Sequence, residues 1–109
     1  MALANVLPEA VAVAPTETTI QEYDCTNLRT LTVQITNTDG SQTLVCSVYR
    51  RQYSSQAWAL SALSDFALLA AGQSVVADLD VSSTGFIKIT GYMSGAGGDC
   101  VCSARRLSK

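Results

Sequence analysis

Phe86-Ile-Lys-Ile-Thr-Gly-Tyr-Met93 and Asp99-Cys-Val-Cys-Ser-Ala-Arg-Arg106, joined by Ser94-Gly-Ala-Gly-Gly98, are the stretches whose reading decides the fold. Both arms alternate with a period of two, the pattern by which a strand separates a buried face from a wet one. The joint carries three glycines, so it can reverse the chain without steric cost. The pattern predicts a hairpin in which Met93 faces Cys100, Gly91 faces Cys102 and Ile89 faces Ala104. Tyr92, Thr90, Lys88, Val101, Ser103 and Arg105 then occupy the other face. A slip of one residue would set Ile89 against Ser103, which favours the first register.

Working back along the chain, Arg29-Thr-Leu-Thr-Val-Gln-Ile-Thr36 alternates in the same way, and so do residues 42–51. Asp39-Gly40 between them is a preferred two-residue turn. A second hairpin is therefore expected, with Ile35 opposite Leu44, Val33 opposite Cys46, Leu31 opposite Val48 and Arg29 opposite Arg50. Residues 54–71 fit two readings. Ser54 or Ser55 can cap a helix that Gly72 ends, but its apolar residues would run most of the way round. As two short strands, Trp58 shares a face with Leu60, and Phe66 with Leu68, and the β character of the flanks favours this. Ser74 to Asp80 reads as another strand. Strands recurring about every ten residues, without helix–strand alternation, predict an all-β protein. The expected architecture is an antiparallel β-sandwich, Ig-like or jelly-roll-like.

Residues 1–28 read differently. An Ala/Val stretch broken by Pro8 and closed by Pro15 favours extended chain. Glu9, Glu17, Glu22 and Asp24 make the segment acidic, and no basic residue precedes Arg29. All seven basic residues lie in the remainder, against five acids, so the two parts carry opposite charge. An extended N-terminal arm (1–28) beside a sandwich domain (29–109) is expected. Such an arm has the reach to leave its own sandwich and dock on a neighbour.

Composition excludes more than it assigns. At 109 residues the chain is one domain able to bury a core. Only 15% of residues are charged, which suits a surface partly covered by a partner. A net charge of −2 argues against nucleic acid, and the apolar runs are too short for a membrane helix. The N-terminus lacks the basic region of a signal peptide. No histidine is present, so the commonest general base and metal ligand are both missing. Asp78 and Asp80 sit two apart on a strand and read as solvated side chains rather than a carboxylate pair. No catalytic residue and no cofactor is expected.

The four cysteines, Cys25, Cys46, Cys100 and Cys102, equal a zinc ligand set in number but not in spacing. Cys46, Cys100 and Cys102 fall on expected core positions, where a thiol acts as a small hydrophobe. A disulfide involving Cys25 stays open. Cys100 and Cys102 are poorly placed to bridge each other, because residues two apart on a strand lie about 6.5–7 Å apart. Tyr49 and Tyr92 fall on outward faces, where rings serve either a glycan or an interface.

Leu31-Thr-Val-Gln-Ile-Thr-Asn-Thr-Asp-Gly40, Leu69-Ala-Ala-Gly-Gln-Ser74, Gly85-Phe-Ile-Lys-Ile-Thr90 and Val101-Cys-Ser-Ala-Arg105 together resemble the small β-sandwich virion proteins of tailed bacteriophages. The resemblance is to the capsid decoration or cement type and covers roughly residues 29–107. It implies a non-enzymatic structural protein of the virion, assembled in the host cytoplasm. The implied partners are copies of itself and a major capsid protein. A tail, connector or fibre component, or a carbohydrate-binding or adhesin sandwich, is the alternative. Charge layout marks Glu9, Glu17, Glu22 and Asp24 as expected assembly contacts on the acidic side. Arg29, Arg50, Arg51, Arg105 and Arg106 are their counterparts on the basic side.

Overall fold

The computed structural model describes residues 6–61 and 68–108. Its strands are β1 (Val6–Val13), β2 (Thr18–Asp24), β3 (Leu28–Asn37), β4 (Leu44–Arg51), β5 (Ala59–Ser61), β6 (Leu68–Leu69), β7 (Ser74–Asp80), β8 (Phe86–Met93) and β9 (Gly98–Ser108). No helix occurs among the described residues. The strands form two antiparallel sheets, one ordered β1-β9-β3-β7 and the other β2-β8-β4-β5, with β6 also paired to β4. The strand reading of residues 54–71 holds at Ala59–Ser61 and Leu68–Leu69; Phe66 lies outside the described residues.

The order has a simple logic. β1 pairs with β9, β2 with β8, β3 with β7, and β4 with β5 and β6. This is one long hairpin folded over on itself, with β9 joining β3 and β8 joining β4 to complete two sheets. Of the two expected sandwich types, that is the order of a jelly roll.

Both expected hairpins are corrected by this topology. β8 and β9 lie in opposite sheets, so Met93 pairs with Leu44, not Cys100, and Ile89 pairs with Val48. Likewise β3 and β4 face each other across the core instead of sharing a sheet. Ile35 pairs with Val75 and Cys102, and Arg50, expected opposite Arg29, pairs with Ala59 and Ile87. The physical reason is that alternation fixes which face a side chain occupies but not which strand lies beside it. Leu31, Val33, Ile35, Leu44, Cys46 and Val48 are all buried, as the pattern requires. Asp39-Gly40 forms no tight turn. Its type would need a left-handed glycine, and among the described glycines only Gly72 and Gly97 have positive φ. Instead the Asp39 carboxylate accepts the N–H groups of Ser41 (2.9 Å) and Gln42 (2.7 Å), bending residues 38–43 into an arch between the sheets. Those bonds hold the Asp39 carboxyl below its usual range.

The N-terminal segment is corrected too. β1 and β2 are edge strands, one on each sheet of their own chain, so residues 6–24 belong to the sandwich. Ile20 and Tyr23 explain this, because both side chains are buried in the core. The Tyr23 hydroxyl lies 3.6 Å from the Cys102 sulfur, and burial pushes its pKa up. Gly91 lets β2 approach: a Cβ there would lie 2.9 Å from Ile20 Cδ1.

All four cysteines are free thiols and buried. Burial raises Cys46 to about 12, and Cys25 and Cys100 to about 11. Such thiols stay protonated at neutral pH and act as core filler.

Candidate interaction face

The outer face of the five-stranded sheet carries the side chains most in need of explanation. Because cross-strand partners point the same way, its composition follows from the register. One row runs Glu22, Lys88, Tyr49, Leu60; another runs Tyr92, Val45, Leu68. Leu60 is 69% exposed, Leu68 65% and Tyr92 39%. Exposed large apolar residues grouped on one surface mark a site of interaction.

A ladder of cations and rings runs from the first of these rows outward, away from the second. The Arg51 guanidinium sits 4.0 Å from the Trp58 ring centroid and 5.4 Å from that of Phe86. Lys88 Nζ lies 5.1 Å from both the Tyr49 and Trp58 rings. Each contact contributes about 0.5–1 kcal/mol at an exposed site. Together they hold the aromatic side chains in place and cover the Trp58 and Tyr49 faces. The Tyr49 hydroxyl donates to Glu17 Oε2 at 2.8 Å, and Thr90 Oγ1 donates to the same oxygen at 3.2 Å. The carboxylate bond favours the neutral phenol and raises the Tyr49 pKa.

The nine charged residues singled out from sequence do not form one patch. Glu17, Glu22 and Arg51 belong to this face, with exposed Asp24 at the end of β2. The Asp24 carboxylate accepts the Thr26 N–H (2.9 Å), which lowers its pKa. Glu9, on β1, and Arg105, on β9, lie instead on the four-stranded sheet, and Arg29 is exposed near the start of β3. Arg106, opposite Leu31, lies near Tyr23, Asp24 and Cys25. Arg50 points inward and closes one end of the sandwich. It donates to Ser61 Oγ (3.2 Å), the Asp80 carbonyl (3.0 Å) and Thr84 Oγ1 (3.0 Å). Arg50 is thus held by neutral oxygen acceptors, and Arg51 donates to the Gln56 carbonyl (3.2 Å) while packing on the Trp58 ring.

Sequence reasoning placed Tyr49 and Tyr92 outward and put Trp58 with Leu60. It put Lys88 on a face with Tyr92, but missed that this face and that of Tyr49 are one and that Leu68 and Arg51 join it. The signal was present in the outward positions of β4 and β8, but gathering them needed the β8–β4 pairing.

No protein-family model and no curated protein matches the chain. Among solved structures, the SPBc2 prophage-derived protein YomS is similar over 97% of this chain and 99% of its own, with a TM-score of 0.58 and 16% identity. The likeness shows a shared all-β fold. A chain from the disulfide-linked pili of Bacillus endospore appendages aligns over 99% of this chain and 95% of its own, with a TM-score of 0.44 and 12% identity.

Proposed function

We propose that this chain is a non-enzymatic structural protein of a phage virion, of the capsid decoration or cement type. In this reading it packs through the outer face of its β2-β8-β4-β5 sheet against a protein shell, as an oligomer of identical copies. The observation that carries the reading is the exposed Leu60, Leu68, Tyr92 surface, with the Arg51–Trp58 contact ordering its neighbouring edge beyond Tyr49. A pre-ordered apolar face loses little side-chain entropy when covered, which favours permanent assembly. The fold shared with a prophage-derived protein and the low charge agree with it. Glu17, Glu22, Asp24 and Arg51 would form the polar rim, with Glu9, Arg29 and Arg105 available to further neighbours, while Arg50 is held inside the chain by its three acceptors. Covering of the Trp58 and Tyr49 rings by Arg51 and Lys88 disfavours a glycan on this face.

The test is co-purification. The protein should sediment with virions at a fixed stoichiometry, and a Leu60→Asp, Leu68→Asp double variant should stay behind in the supernatant while keeping its folded circular dichroism spectrum. Wild-type protein absent from purified virions would reject the reading.

A further inference from the structure

At one end of the sandwich, the turns at residues 25–27, 52–56 and 81–85 enclose an open groove of about 670 Å³. Their backbones are fixed. Leu28 N donates to the Cys25 carbonyl, Gln56 N to Tyr53, and Thr84 N to Val81, closing each turn on itself. Cys25 N donates to the Gly85 carbonyl at 2.8 Å, joining two of the turns. Gln56 Oε1 accepts the N–H groups of Gln52 (3.2 Å) and Tyr53 (3.0 Å). Gly85 lies so near the Gln52 carbonyl that no Cβ fits between them.

Of the lining side chains, Ser82 Oγ donates to Asp80 (2.8 Å) and Thr84 Oγ1 accepts from Arg50 (3.0 Å), but most of the others are the reverse of the backbone. Asn27, Gln52, Tyr53, Ser54, Ser55 and Ser83 line the groove, and among the described residues none of these side chains makes a hydrogen bond. The Tyr53 ring is 70% exposed. No Lys, Arg, Asp or Glu lines the groove. Asn27 holds a left-handed backbone (φ 69°) on this rim, a conformation that asparagine tolerates at some cost.

We infer that this groove binds a neutral saccharide. A sugar ring presents an apolar face that stacks on an exposed aromatic ring, and a rim of hydroxyls that pairs with neutral hydroxyl and amide side chains. An uncharged lining offers no charge-assisted partner to a phosphate or a carboxylate, and fixed turns reduce the ordering cost of binding. The inference goes beyond the structural role and does not depend on it. The interaction face and the groove share no lining residue except Phe86.

The test titrates ¹⁵N-labelled full-length protein with maltotriose, cellotriose and chitotriose, and applies the protein to an array of neutral and acidic glycans. The expected result is binding of a neutral glycan with amide shifts at residues 26–27, 52–55 and 82–85. Tyr53→Ala should weaken it by about tenfold or more, roughly the loss of one stacking contact, with an otherwise unchanged spectrum. Tyr92→Ala should bind like the parent. No binding by any probe, shifts centred on Tyr49 and Tyr92, or a preference for acidic glycans would each overturn the inference.

Discussion

At the end of the sandwich where β3 leaves for β4, Asn37, Asp39 and Gln42 are all engaged, whereas at the opposite end Asn27, Gln52 and Ser83 have no partner among the described residues. Asn37 is fully buried and donates to the carbonyls of Gln42 (2.8 Å) and Leu69 (3.0 Å), while its own oxygen accepts from Asp39 N (3.1 Å). Gln42 reaches the 94–98 loop, donating to the Gly97 carbonyl (2.7 Å) and accepting from Gly95 N (2.9 Å) and Gly97 N (3.1 Å). Similar residue types thus do different things. Where polar side chains pack between arches, with Asn37 buried and Asp39 and Gln42 half-buried, they satisfy one another, so that end specifies the fold. Where they ring an open groove they remain available, so that end can recognise something else.

Removing residues 6–24 would break both ends together. Ala14 accepts the Met93 N–H at the engaged end, and β2 leads into the turn at Cys25 at the open end. With one edge strand lost from each sheet and Tyr23 and Ile20 gone from the core, the truncated chain should not fold. A cooperative thermal transition in that chain would contradict the placement of β1 and β2.

Alkaline pH should weaken the core along its whole length, because the buried thiols run from Cys25 at the open end to Cys100 beside Asn37 at the engaged end. The raised thiols of Cys25, Cys46 and Cys100 bind their protons more tightly when folded, so the stability they give is complete below the unfolded thiol value of about 9. It should be lost progressively as pH rises from about 9 towards 11–12, most of all at Cys46. Melting temperature measured across that range should fall steeply, and far less in a Cys25→Ala, Cys46→Ala, Cys100→Ala variant.

Asn37→Ala, which removes the amide donor from one buried and one part-buried carbonyl, should cost about 2–3 kcal/mol. Gln52→Ala at the open end should change stability by less than about 0.5 kcal/mol. Equal costs in urea denaturation would erase the contrast between the ends. Cys46→Ala should fall between them, at about 1 kcal/mol, as a small cavity does.

Much of this contrast was invisible in the sequence. Alternation in residues 29–36, 44–51, 86–93 and 99–106 identified the buried side chains, because burial repeats every second residue in any sheet. It could not show that residues 38–43 and 94–98 cross between sheets, since an arch and a hairpin bury the same residues. Gln42 is in phase with the core positions Leu44 and Cys46, and only the approach of the 94–98 loop makes it a bridge. Tyr23 and Ile20 were legible as apolar, but the prolines and acids around them drew the segment towards an arm. The exposed Leu60–Leu68–Tyr92 surface depends on β5, β6 and β8 all lying beside β4, which no local pattern encodes.

That surface carries the functional account, and hydroxyl-radical footprinting of the protein on assembled particles against the free protein examines it most directly. Leu60, Leu68, Tyr92 and Trp58 should lose reactivity on assembly while Tyr53, at the open end, keeps its own. Undiminished reactivity at Leu60, Leu68 and Tyr92 in the particle would contradict the account.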